Sequence, residues 1–158
     1  MDEIDQAILC QLMANGRLPN NELAEKVGLS PSPCLRRVRN LEDAGVIAGY
    51  AAIVDRAATG CSYEPLVWVT LTSVTREVMV DFERAVNRVP AIVEVLRMMG
   101  QPDYLLRVVT PDAEAFETLY FDVLAGLPNV QTLTSQIAMK VVKRTHELPV
   151  GAGPGPTG

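Results

Sequence analysis

Three arginines and an asparagine fall within five consecutive positions, as Arg36, Arg37, Arg39 and Asn40, just after Ser30, Pro31, Ser32 and Pro33. A guanidinium offers a rigid fork of donors, and a carboxamide offers a donor beside an acceptor. These side chains match the edges of base pairs two bonds at a time, and a guanidinium also pairs with phosphate oxygens. Between Ser30 and Leu41 there is no acidic residue, although the 158-residue chain carries a formal net charge of −5. Such a balance disfavours polyanion binding over the whole surface and is compatible with one local basic face.

A second group sits in "GQPDY", residues 100–104. Gly100 permits a positive φ or close backbone approach, and Pro102 stiffens the turn. Asp103 places a carboxylate beside backbone N–H groups. An amino-acid ligand needs that combination: an acceptor for its ammonium and donors for its carboxylate. Thr132, Thr134, Ser135 and Gln136 add hydroxyl and amide groups that can complete a site across an interface. The plainer alternative is a turn in which Asp103 is only a turn-former.

Other chemistry has less support. Cys10, Cys34 and Cys61 lack C-x-x-C spacing and read as reduced thiols. Cys34 is expected near the recognition face, as a small structural residue. The sole histidine, His146, lies beside a Gly/Pro-rich end, so neither histidine catalysis nor a metal site is expected, and no cofactor is implied. No run of about 18 apolar residues exists, and the acidic start "MDEIDQAILC" is unlike a secretory signal. The expectation is a cytoplasmic protein without a membrane partner.

The elements that must hold these groups follow from periodicity. Residues 2–14 carry Ile4, Ile8, Leu9 and Leu12 at helical spacing. "NNELAEKVG" predicts a second helix capped by Asn20 or Asn21 and ended by Gly28. Ser30 or Ser32 caps a third, in which Pro31 and Pro33 occupy the first turn, where proline costs little. Leu35, Val38 and Leu41 are expected on its buried side, Ser32, Pro33, Arg36 and Asn40 opposite, and Arg37 and Arg39 on the flanks reaching phosphates. Two helices joined by a short turn make a helix-turn-helix; the alternative for such an arginine-bearing helix in isolation is a solvated face. "VIAGYAAIV" then has strand character. Residues 51–62 form a linker strand and change of register, and the pattern becomes β-α-β-β-α-β over 63–145. The last strand spans 130–142, and residues 146–158 are a flexible tail. The fold class is α+β: an N-terminal winged helix-turn-helix (1–50) joined to a ferredoxin-like βαββαβ domain.

With these residues in view, "NNELAEKVGLSPSPCLRRVRNLEDAGVIAGYAAIV" resembles the winged helix-turn-helix of the Lrp/AsnC, or feast/famine, family of regulators. The second half resembles that family's effector domain, including a G-x-x-D-Y-L-L signature at Gly100–Leu106 that takes in Tyr104. The resemblance implies a sequence-specific transcription regulator, nucleoid-associated in a bacterium or archaeon, that binds double-stranded DNA. It implies a homodimer, four of which assemble into an octamer, and an amino-acid effector held where effector domains meet. Relatives of the leucine-responsive kind often have an acidic and an aromatic residue where Gln101 and Pro102 stand, so the ligand's identity stays open. Siroheme decarboxylases share the architecture but rely on pocket histidines. An interaction module without DNA binding is a further alternative, opposed by the clean charge split of the third helix.

Overall fold

Asp2 opens the first helix, α1 (Glu3–Ala14). Its side chain accepts from the Asp5 N–H, and the Asp5 side chain accepts from the Asp2 N–H. This reciprocal cap satisfies two otherwise unpaired donors and sets negative charge against the positive end of the helix dipole. The computed structural model describes residues 1–143, 145, 148 and 149. The chain divides into two units, one built on Met1–Ile53 and the other on Val54–Val142.

In the first unit, α2 spans Asn20–Lys26. Its capping residue is Pro19, not an asparagine; the Asn20 side chain instead donates to the Pro31 carbonyl at 2.9 Å. That bond pins the start of α2 to the start of α3 (Pro31–Asp43). Gly28, at φ +69°, lets the Leu29 N–H return to the Ala24 carbonyl at 2.8 Å. This closes α2 and turns the chain directly into α3. Ser30 is the capping residue of α3, without a side-chain cap bond, and the two prolines fall in the first turn as expected.

Ile8, Leu9, Leu23, Ala24, Cys34 and Leu41 form the core of this unit, with Val38 packed against it. The buried stripe of α3 is therefore Cys34, Val38 and Leu41, spaced four and three residues apart. Val38 and Leu41 lie on the buried side as expected, whereas the first member of the stripe is Cys34 in place of Leu35, which is 39% exposed. Burial pushes the Cys34 thiol pKa up, against the thiolate character a redox sensor needs.

The expected strand at 46–54 and the linker strand at 51–62 are absent from the described structure. Val46, Tyr50, Ile53 and Val54 are exposed, and a run of β-favouring residues becomes a strand only where another backbone supplies ladder bonds. Residues 56–60 form turns. Asp55 accepts from the Ala57 N–H at 2.9 Å there.

The second unit contains β1 (Pro65–Leu71), α4 (Arg76–Val86), β2 (Ile92–Arg97), β3 (Tyr104–Val108), α5 (Ala113–Asp122) and β4 (Val130–Ile137). Its antiparallel strands lie in the order β2-β3-β1-β4. This is the expected βαββαβ arrangement. Thr75 caps α4, and Asp112 caps α5 through the Ala115 N–H. Phe82, Val86, Phe116 and Leu119 from the two helices pack with Val67, Val69, Leu71, Leu106 and Val108. The other sheet face carries Leu66, Trp68 and Thr70, because successive side chains alternate. β4 stops at Ile137, short of the expected 142. Ile137 pairs with Pro65, the first residue of β1, so the ladder has no further partner in β1. The expected tail at 146–158 lies outside the described residues, apart from 148 and 149.

Candidate nucleic-acid interface and ligand cleft

The helix-turn-helix presents one face of α3. Ser30, Ser32, Arg36, Arg39 and Asn40 are exposed, and Pro33 is half-buried in the first turn. Ser32, Arg36 and Asn40 repeat every four residues and share a stripe with Arg39 beside it. Leu35, expected on the buried side, borders that stripe and is exposed. Pro31 at the first helical position fixes where the helix begins, and so which residues its exposed turn offers.

Arg37 differs from its neighbours. Its Nη1 lies 2.7 Å from Asp2 Oδ2 and 2.7 Å from Asp5 Oδ1. Its pKa is raised, chiefly by the bond to Asp5 and next by that to Asp2. The Asp2 carboxyl is held below its ordinary value by the backbone bond from Asp5, then by Arg37. Farther along, the Tyr50 hydroxyl donates to Glu42 Oε1 at 2.9 Å. Although the residue as a whole is exposed, partial desolvation of its hydroxyl, then Glu42, pushes the Tyr50 phenol up to about 12. This bond ties the chain after α3 back onto the end of that helix.

In the second unit an open cleft of about 520 Å³ is lined by Trp68, Thr70, Gln101, Pro102, Thr134 and Gln136. That volume suits a small ligand. The registers Trp68↔Thr134 and Leu66↔Gln136 put the β1 and β4 contributors side by side. The Trp68 Nε1–H donates to Gln136 Oε1 at 2.9 Å, which leaves the carboxamide N–H groups as donors toward the cleft. Gly100, at φ +105°, and the cis Gln101–Pro102 bond shape the adjoining loop. The loop is closed by the Met98 N–H bonded to the Asp103 carbonyl at 2.8 Å.

The structure gathers only part of the expected effector group. Thr134 and Gln136 line the cleft, and Thr132, opposite Thr70, is on the same sheet face. Ser135 pairs with Val67 and Tyr104 with Val69, so both point to the helix side. Tyr104 is fully buried, and its hydroxyl donates to Glu83 Oε1 at 2.8 Å. Arg97 pairs with the same carboxylate. The Glu83 carboxyl is held below its ordinary value by Arg97 first and Tyr104 second. Asp103 is buried, and its Oδ2 accepts from the Leu71 N–H at 2.8 Å; that oxygen is engaged by the backbone, where the sequence suggested an ammonium partner. Trp68, Thr70, Gln101 and Pro102 were missed as lining residues. The signal available for the first two was strand alternation in "LVWVTLT", which sets Trp68 and Thr70 on one face.

An arginine-bearing helix-turn-helix followed by a βαββαβ unit with a cleft of mixed apolar and polar lining defines a two-part transcription regulator, one part for DNA and one for a small ligand. The comparisons agree with that class. A "Winged helix-turn-helix DNA-binding" model matches residues 1–48, and the "Lrp/AsnC ligand binding domain" model matches residues 65–148. The chain belongs to the Lrp/AsnC family of transcription regulators. It is 34% identical to the transcriptional regulator AzlB of Bacillus subtilis, over 95% of this chain and 96% of that protein. It is 38% identical to the leucine-responsive regulatory protein of Escherichia coli, over 94% of this chain and 90% of that one. A transcriptional regulator of Neisseria meningitidis, solved as its L-Met complex, superposes with a TM-score of 0.91 at 36% identity. That match covers 96% of this chain and 97% of the other. Among the described residues no helix is long and apolar enough to cross a membrane.

Proposed function

We propose that this regulator binds specific double-stranded DNA through the α3 face and that an amino acid bound in the Trp68 cleft changes its assembly or its DNA affinity. Ser30, Ser32 and Pro33 place the helix start against the backbone; Arg36 and Asn40 read base edges; Arg39 meets phosphate. The observation that carries the effector reading is the cleft itself. Trp68 supplies an apolar wall, while Thr70, Thr134 and Gln136 supply hydroxyl and amide groups beside the Gly100 loop. Such a mixture fits a zwitterion with a side chain of its own. The likeness to a regulator solved with L-Met supports an amino acid as the ligand class.

The working form is a homodimer that assembles further into a tetramer of dimers, in the cytoplasm. The open sheet face bears Leu66, Trp68, Leu96 and Leu105 around an Arg107–Glu94 pair at 2.8 Å, and a second copy covers it. A ligand at the rim of that face lies between subunits, so its binding energy differs between assembly states, as regulation requires.

Trp68 is the only tryptophan in the chain, so its emission reports directly on the cleft. Titrating each of the twenty amino acids should give a saturable emission change with one or a few. The same compounds should raise the melting temperature and alter the sedimentation or DNA-binding profile. No response to any amino acid would overturn the effector reading and leave DNA binding untouched.

A further inference from the structure

One of the three recognition-helix arginines is already occupied within the fold. Arg37 Nη1 stands 2.7 Å from one oxygen of Asp2 and 2.7 Å from one oxygen of Asp5. The second oxygen of each acid is used as well. Asp2 Oδ1 accepts from the Asp5 N–H at 2.8 Å, and Asp5 Oδ2 accepts from the Asp2 N–H at 3.0 Å. A single guanidinium nitrogen thus closes the cap of α1 from above, joining the first turn of α1 to the middle of α3.

We infer that Arg37 is a positioning residue for base recognition, setting the rotation of α3 by clamping Asp2 and Asp5, and that it makes no phosphate contact. The inference rests on the reading of Arg36, Asn40 and Arg39 as the DNA-facing residues. Arg36 directly precedes Arg37, so any roll of the helix that releases one displaces the other. With side chains a helix has a radius of roughly 5–6 Å, so a roll of about 10° moves its surface by about 1 Å. Base-edge hydrogen bonds do not tolerate such a shift, whereas phosphate attraction is far less directional. Asp5, Arg36, Arg37 and Asn40 all line one cleft of about 440 Å³. Without Arg37, the Asp5 carboxylate, which lines the same cleft as Arg36, would be left without its cationic partner.

The test compares the full chain on two duplexes of equal length by fluorescence anisotropy over a range of salt. One is selected from a randomised library by the wild-type protein; the other has random sequence. The variants are Arg37→Ala, the double variant Asp2→Asn/Asp5→Asn, and all three changes together. Asparagine keeps an acceptor for each capping N–H, so the double variant removes the clamp without removing the cap. Arg37→Ala and the double variant should each reduce the ratio of selected to random affinity about tenfold. The triple variant should be no worse, and the salt slope of Arg37→Ala on random DNA should equal that of wild type. The inference is overturned if Arg37→Ala weakens both duplexes equally and lowers the slope by about one, as loss of a phosphate contact does. It is equally overturned if the selected-to-random ratio stays at the wild-type value in the single and double variants. Arg36→Ala is the separate control: wild-type binding by it would overturn the reading of α3 itself, and this inference with it.

Discussion

The carboxylate of Asp103 accepts a hydrogen bond from the backbone N–H of Leu71 at 2.8 Å, across 32 positions of chain. The Asp103 N–H completes the link by donating to the Val69 carbonyl at 2.9 Å. The loop that carries Gly100 is thereby stapled to the end of β1, one of the two inner strands, which also carries Trp68. Removing the carboxylate leaves a buried N–H without its partner. Asp103→Ala should destabilise the protein by about 1.5–3 kcal/mol, the range for bonds to charged groups. Asp103→Asn, which keeps an acceptor, should lose less. Denaturant unfolding measures both, and an alanine variant within about 0.5 kcal/mol of wild type, the usual range for surface changes, would show that the staple contributes little.

Arg36→Ala is expected to weaken binding to a selected operator by about 1–3 kcal/mol and to relax its sequence preference. Arg39→Ala should weaken all duplexes more evenly and flatten the salt dependence by about one ion. Binding isotherms at several salt concentrations separate the two patterns. Wild-type behaviour by both variants would place DNA on another surface.

Gln136 supplies the partner of the Trp68 indole and faces the cleft. Gln136→Ala should leave the melting temperature close to that of wild type, because the position is exposed. It should weaken whichever amino acid binds by about 1 kcal/mol or more, as expected for a lost hydrogen bond. Calorimetry decides it, and equal affinity in the two proteins would move the ligand away from this part of the sheet.

Glu83 predicts a pH dependence with a definite sign. Its folded-state pKa lies below the ordinary value of 4.5, mainly because of Arg97 and secondarily because of Tyr104. The carboxylate therefore contributes stability above the unfolded value, and that contribution fades as the pH falls through the lowered folded value. Glu83→Gln should be less stable than wild type at neutral pH, and the gap should narrow below about pH 4.5. Melting curves from pH 3 to pH 7 would reveal a gap that is constant or widens with acid, either of which contradicts this account.

Much of this architecture is legible in the sequence because it is local. The double proline marks the start of α3, Gly28 marks the end of α2, and strand alternation in the segment expected over 130–142 sorts Thr132, Thr134 and Gln136 onto one face. What escaped detection depends on partners distant in the chain. Val46–Val54 has the composition of a strand, but composition cannot supply the second backbone that a strand needs. Asp103 looks available for a ligand until Leu71 is seen beside it. Tyr104 belongs to a recognisable signature, yet its direction is fixed by its register opposite Val69. Cys34 and Leu35 are adjacent, and only the packing of α1 and α2 chooses which of them turns inward.

The alternation along β1 and β4 has a consequence for how such a regulator diversifies. Positions 66, 68 and 70, with 132, 134 and 136, face the open side; 67, 69 and 71, with 133 and 135, face the helices. On the proposed reading of this cleft as the ligand site, a mutational library confined to 68, 70, 134 and 136 would explore new ligand preferences while every side chain of the packed interior is inherited unchanged. A one-residue insertion in either strand would exchange the two sets at once, trading a binding surface for a core. On that reading ligand preference is open to gradual change by substitution, whereas strand length is not.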